Sequence, residues 1–337
     1  KKLTRGLSGF VNAILRSVIR EQDSIGIEDL AVNDIEAISF IYNIPLWLIN
    51  LWISEFGRDK TEDLCAWFNE QPKLTARINT ILIDIPQCLT MLNEQGWAVT
   101  QDSNYEDIIY INSHRGSLEK SEAFIKGYIT FMDKASMLVA RLVNPQPGER
   151  ILDCCAAPGG KSMYMATLMN NVGSLMSCDI HEHKIELMNS NADRLCASIV
   201  HTKVQDATKL PDSWNSYFDR VLVDAPCSGL GILQKKLDMR WRKQESILRE
   251  LPPLQLAILE RAAMTVKEKG YLIYSTCTLN YKENEEVVEA FLQKHKEFSI
   301  IPVVEDFPLK SNSGMITTYP PTDDMDGFFM VKMQRIS

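Results

Sequence analysis

Among the eight cysteines of this 337-residue chain there is no Cys-x-x-Cys pair. Cys154 and Cys155 are adjacent and the other six are scattered, which excludes a disulfide framework and fits a reducing, cytoplasmic setting. Cys178, His181, His183 and Cys196 lack the paired spacing of zinc ligands, so no metal site is expected. A clean apolar run of about 18 to 20 residues, the length a membrane helix needs, is also lacking. The longest candidate, Ile35 to Trp52, is broken by Glu36, Ser39, Asn43, Pro45 and Asn50, so no membrane association is expected. Basic excess is wanting too: 36 Lys and Arg face 44 Asp and Glu, a net charge of -8 that argues against indiscriminate phosphate binding. Lys1 to Leu7 contain no initiator Met and run straight into a helical pattern rather than a signal-peptide core, as expected of a fragment.

What is present describes a globular chain of roughly two domains, 45% hydrophobic and 24% charged. Leu7, Phe10, Val11, Ile14, Leu15 and Val18 follow the spacing of an amphipathic helix, and Trp47, Leu48, Leu51, Trp52 and Phe56 repeat it. The first stripe has no upstream partner, which leads to the expectation of a preceding segment. Residues 1–70 thus read as a helical segment. Residues 71–130 read as a small α+β module, with short β-branched runs at 78–83, 97–100 and 108–111 around a helical 87–95. Local basic clusters occur at Lys1, Lys2, Arg5, Arg16 and Arg20, and again between Lys235 and Arg249; either a phosphate contact or a solvated face fits them.

Residues 131–337 read as a third segment, which alternates strand and helix after Pro145-Gln146-Pro147-Gly148. Strands are expected at 150–154, 173–179, 199–205, 220–224 and 271–276, with helices near 161–170, 183–197 and 253–266. This alternation predicts an α/β domain, a doubly wound parallel sheet whose ligands bind beyond the carboxyl ends of its strands. That rule puts Asp153, Asp179, Asp206, Asp224 and Cys277 along one rim. The turn Cys155-Ala156-Ala157-Pro158-Gly159-Gly160-Lys161 is neither a G-x-G-x-x-G fingerprint nor a P-loop, but its small residues let a ligand approach the backbone. With carboxylates at Asp179 and Asp206 ending the following strands, a nucleoside-bearing cofactor fits, a nicotinamide cofactor being left open by geometry alone. Cys227 and Cys277 each close a short hydrophobic run, where a strand delivers its last residue into a cleft.

Taken together, the Cys155 to Lys161 loop, Asp224-Ala225-Pro226-Cys227-Ser228-Gly229, Thr276-Cys277 with Glu283-Asn284-Glu285, and Asp326-Gly327-Phe328-Phe329 resemble the RNA cytosine-C5 methyltransferases of the Nol1/Nop2/Sun family. Phe10-Val11-Asn12-Ala13-Ile14-Leu15-Arg16 and Pro45-Leu46-Trp47 are similar to its Sun/Fmu type, which modifies bacterial 16S ribosomal RNA. The opening helix resembles the end of that type's NusB-like RNA-binding domain. Two positions depart from the usual pattern: Met132 precedes Asp133 where Gln is usual, and Ile44 replaces a His.

The resemblance implies a Rossmann-like, S-adenosylmethionine-dependent methyltransferase that makes 5-methylcytidine in small-subunit ribosomal RNA. A transfer RNA substrate and a noncatalytic ribosome-assembly factor are the alternatives. It implies that Cys277 attacks C6 of cytosine and that Cys227 assists release of the methylated product. It further implies that Asp224 binds the base edge and the cofactor's amino group. The Cys155 to Lys161 loop would hold the methionine portion, Asp179 the ribose and Asp206 the adenine side, with Lys161 also near the target base. Arg240-Trp241-Arg242 could grip flanking nucleotides, or bury a core Trp between surface arginines.

Overall fold

A computed structural model describes residues 7–21, 34–303, 307–309, 311 and 313–336. The basic residues Lys1, Lys2 and Arg5 lie outside the described residues. The chain divides into two compact units, one ending at Asn69 and the other beginning at Glu70.

The first unit is helical: α1 (Ser8–Glu21), α2 (Asp34–Tyr42), α3 (Leu46–Phe56) and α4 (Arg58–Asn69). Leu7, just before α1, and Phe10, Val11, Ile14, Leu15 and Val18 on it are all exposed. The apolar stretch from Ile35 to Trp52 is bent by 112° between α2 and α3, at Asn43 and Pro45. Among the described residues no single helix is long and apolar enough to cross a membrane. Ile44, where the family pattern has His, is fully buried, and Trp52 stacks on Phe68 with ring centroids 5.5 Å apart.

The second unit starts with β1 (Leu74–Ile78), α5 (Ile85–Glu94), β2 (Ala98–Gln101), β3 (Ile108–Ser113), α6 (Glu122–Ile125) and β4 (Ile129–Phe131). The sheet is antiparallel in the order β2-β3-β1-β4. Its core joins Ala76, Ile78, Ile109 and Ile111 to Cys88 and Leu92 of α5. The strand expected at 78–83 lies earlier, because Asn79 turns the chain: its backbone and side-chain carbonyls accept from Leu82, Ile83 and Ile81.

The larger sheet follows, through α7 (Lys134–Val143), β5 (Arg150–Asp153), α8 (Gly160–Leu168), β6 (Ser174–Asp179), α9 (Glu182–Arg194), β7 (Val200–Val204), β8 (Phe218–Asp224), α10 (Met239–Arg242), α11 (Ile247–Ala263), β9 (Val266–Thr276), α12 (Glu285–Lys294), β10 (Phe298–Ile300), β11 (Met315–Thr317), α13 (Pro320–Asp323) and β12 (Phe329–Arg335). Its order is β10-β12-β9-β8-β5-β6-β7, with β11 also pairing β12. The strands from β7 to β9 are parallel, as the alternating pattern implies. The edge beyond β9 is antiparallel, a feature that the strand–helix alternation does not encode: β12 returns from the end of the chain to pair with β9. Apolar clusters cover both faces, one containing α7, α8 and α9 residues and the other α11 and α12 residues. Strand order reverses between β5 and β8, which opens a crevice at their carboxyl ends, where Asp153 and Asp224 stand.

A buried polar network ties the small sheet to α7 and α8. Tyr164 donates to Asp107 at 2.7 Å, Arg141 contacts both, and Asn79 donates to the carbonyls of Gly127 and Leu195. Arg77 is fully buried; it donates to Thr167 at 3.2 Å and lies 5.0 Å from the Tyr164 ring centroid. Burial pushes its guanidinium down to about 10.

Candidate active site

The crevice encloses about 550 Å³ and is lined by both cysteines of interest, Cys227 and Cys277, together with Cys155, Ala157, Asp179, Asp206 and Asp224. Cys227 follows the end of β8 and Cys277 the end of β9, so adjacent parallel strands deliver them side by side. Their Sγ atoms are 3.3 Å apart, within sulfur hydrogen-bond range. Through this bond, burial and the charges of Cys277 and Glu283, Cys227 is pushed well above the ordinary thiol range.

Asp224 ends β8 and sits in a fixed pose. One carboxylate oxygen accepts from Ser275 at 2.8 Å and the other from the Lys161 ammonium at 2.7 Å. Lys161 lies in the first turn of α8, 5.2 Å from the Phe328 ring centroid. Burial disfavours its charge, but the charge and hydrogen bond of Asp224 outweigh that, with smaller contributions from Cys277 and Asp153, and raise it above an ordinary lysine. The ammonium thus stays charged beside the thiols.

Only part of the expected cofactor loop lines the cavity. Cys155 and Ala157 do; Ala156, Pro158, Gly159, Gly160 and Lys161 form the turn behind them. Gly159 has φ +96°, a left-handed conformation that L side chains rarely adopt, so the turn favours glycine there. Gly160 faces Met132, the residue that replaces the family's usual Gln. Asp179 accepts from the His181 N–H at 3.0 Å and has Lys184 3.6 Å away. Asp206 does not end a strand: β7 stops at Val204, and Asp206 caps the next turn. The Thr208 hydroxyl and N–H, at 2.6 and 2.9 Å, hold its carboxyl below the usual range. Ile180, Ala207, Leu254 and Ile258 add an apolar wall.

Asp153 departs from the expected rim. It is fully buried beneath the crevice, accepts from Ser162 at 2.7 Å, and is pushed up to about 7 chiefly by burial. Arg240 is buried while Trp241 is 60% exposed, the reverse of a core Trp between surface arginines. Cys178 is buried in β6 and Cys196 exposed, and the described residues hold no cluster of three or more candidate metal ligands. Sequence reasoning assigned no role to Ser275 or Gln255, and none to Glu283 beyond its place in a motif. Ser275 stands next to Thr276-Cys277, the one local signal available for it. A more open groove of about 900 Å³, between Lys73, Tyr110, Asn112 and His114, contains none of the expected site residues.

Residues 140–334 match the family described as 16S rRNA methyltransferase RsmB/F, and residues 44–116 match the ferredoxin-like domain of the RsmF/B-like methyltransferases. The chain is 36% identical over 337 residues to the probable ribosomal RNA small subunit methyltransferase B of Bacillus subtilis (strain 168), covering 98% of this chain and 74% of that protein. Its similarity to the corresponding Synechocystis sp. (strain ATCC 27184 / PCC 6803 / Kazusa) protein is 35% over 344 residues, covering 98% and 75%. Among solved structures, the crystal structure of PH0851 superposes with a TM-score of 0.84 at 31% identity, covering 89% of this chain and 68% of that one.

Proposed function

The chain belongs to the 16S rRNA methyltransferase RsmB/F family, and from that premise we propose that it methylates C5 of a cytosine in small-subunit ribosomal RNA through a covalent Cys277 adduct. The reaction is S-adenosylmethionine-dependent rRNA methylation. The observation that carries the covalent route is the 3.3 Å contact between Cys227 and Cys277, beside the Lys161–Asp224 pair.

The crevice suits the cofactor: its carboxylates at Asp179 and Asp206 can accept from hydroxyl and amino groups, its apolar wall can cover a purine, and the Gly159 turn admits a close backbone approach. We assign the loop from Cys155 to Lys161 to the methionine portion, Asp179 to the ribose, and Asp206 to the adenine side. When bound there, S-adenosylmethionine supplies the electrophilic sulfonium methyl group that an activated C5 receives.

Activation of C5 falls to the chain's own residues. The Cys277 sulfur adds to C6 as a thiolate, and the C5=C6 electron pair becomes available at C5. Asp224, held by Ser275 and Lys161, faces the base edge and favours this electron-rich form; the Lys161 charge supports the thiolate. After methylation, loss of the C5 proton to solvent re-forms the double bond and expels the Cys277 sulfur. The Cys277 sulfur leaves as the thiolate it began as, and Cys227, 3.3 Å away, assists this release of the methylated product. The cytosine enters such a crevice only when unstacked, which single-stranded or loop RNA permits at lower cost than a duplex. We assign RNA placement to the helical segment 1–70 and the module 71–130, upstream of the catalytic segment 131–337, and a cytoplasmic location to the whole.

Cys277→Ala is expected to abolish methyl transfer, whereas Cys227→Ala leaves RNA attached to protein on a denaturing gel. Full activity of the Cys277 variant would refute the covalent route. Bisulfite mapping of 5-methylcytidine in cells lacking the protein identifies the substrate: loss at one 16S site supports ribosomal RNA, and loss in transfer RNA points to the other substrate class.

A further inference from the structure

Glu283 is fully buried, in the short 3-10 turn Tyr281–Glu283 that follows the Cys277 loop, and its carboxylate is met by four neutral donors. The Ser228 N–H reaches it at 2.8 Å and the Ser228 hydroxyl at 2.5 Å; Asn280 and Gln255 amides each reach it at 2.9 Å. These donors come from three places. Ser228 follows Cys227, Asn280 lies three residues after Cys277, and Gln255 belongs to α11, from which it also holds the Pro226 carbonyl at 3.0 Å. A second link, Ser228 to Thr278 at 2.8 Å, runs beside the first, and the Tyr274 hydroxyl donates to the Glu283 carbonyl at 2.6 Å. A buried carboxylate without an ion-pair partner needs several such bonds to replace its water, and this one has them from both thiol-bearing loops.

We propose that Glu283 is the positioning residue of the thiol pair: its carboxylate clamps the Cys227 loop to the Cys277 loop. Glu283 touches neither substrate nor the reacting sulfurs. The inference rests on the thiol roles proposed above. The groups that face Cys227 are Cys277, Glu283 and Tyr274, with the Lys161–Asp224 pair in the same crevice. The charge of Glu283 acts in the same direction as burial, against ionisation of Cys227.

The test uses E283Q, which preserves shape and removes the charge. In a Cys277→Ser background, peptide-resolved iodoacetamide alkylation of Cys227 is followed against pH, without RNA or cofactor. The midpoint is expected at lower pH by half a unit or more in E283Q than in its Glu283 parent. In the otherwise native chain, kcat falls about tenfold or more while KM for S-adenosylmethionine holds within twofold. An unchanged midpoint overturns the assignment, and so does an unchanged kcat or a KM for S-adenosylmethionine that rises in step with the loss of kcat. Should E283Q fail to fold, Ser228→Ala removes both hydroxyl bonds, to Glu283 and to Thr278, and is expected to lower kcat severalfold at constant KM, an unchanged kcat again overturning the clamp. Full methylation by Cys277→Ala would refute the thiol roles themselves, and the alkylation shift separates that outcome from a failure of Glu283.

Discussion

Asp153→Asn should change how stability depends on pH, and the size of the change follows from where Asp153 sits. The side chain is fully buried at the end of β5, bonded to Ser162, which in turn accepts from Ser177 at 2.8 Å. Burial raises its folded-state value to about 7, with Asp224 adding to the rise and the Ser162 bond and Lys161 opposing it. A carboxyl raised on folding is most favourable below its unfolded value, near 3.8, and that advantage is lost as pH climbs through the folded value. At about 1.4 kcal/mol per pH step, the full span amounts to about 4 kcal/mol. Asn is neutral throughout and escapes the loss. Between pH 5.5 and 8.5 the variant should therefore gain about 2 kcal/mol relative to the parent, the gain ending a little above pH 7. Urea unfolding of both proteins at the two pH values measures it. An equal difference at both pH values would refute the burial argument.

Two further outcomes depend on the same crevice. Asp179→Ala should weaken S-adenosylmethionine by about 10- to 100-fold in calorimetry, the scale of a lost hydrogen bond to a charged group, and binding within twofold of the parent would remove Asp179 from the cofactor site. Gly231→Ala should be destabilising, since a Cβ there would stand 1.9 Å from the Gly327 carbonyl oxygen and backbone must move to admit it. The expected loss is about 1–3 kcal/mol, read as a lower Tm. Methylation should fall with it, because the Gly231 N–H also holds the Cys277 carbonyl at 3.0 Å; an unchanged Tm and rate would contradict the close packing.

The central strands of the large sheet were legible because each carries its own signal, a short apolar run ending in Asp153, Asp179, Asp224 or Cys277 with a helical pattern after it. The antiparallel edge was not. β12 joins β9 from more than fifty residues away, and nothing local in Phe329–Arg335 names its partner. The same holds for Arg77, whose alternation in a strand looks ordinary and whose burial against Tyr164 and Thr167 arises only when the small sheet packs on α8.

By itself the sequence determined which residue types stand at the strand ends and in what order, since local patterning and short motifs carry that information along the chain. Tertiary structure decided what those residues are. Packing sank Asp153 below the rim while leaving Asp224 open to the crevice, though both end strands of the same sheet. It placed Asp206 in a capping turn and brought Glu283 under both thiol loops. Cys227 and Cys277 are fifty positions apart in the chain and 3.3 Å apart in space because β8 and β9 are parallel neighbours, so that both strands release their carboxyl ends into the same crevice.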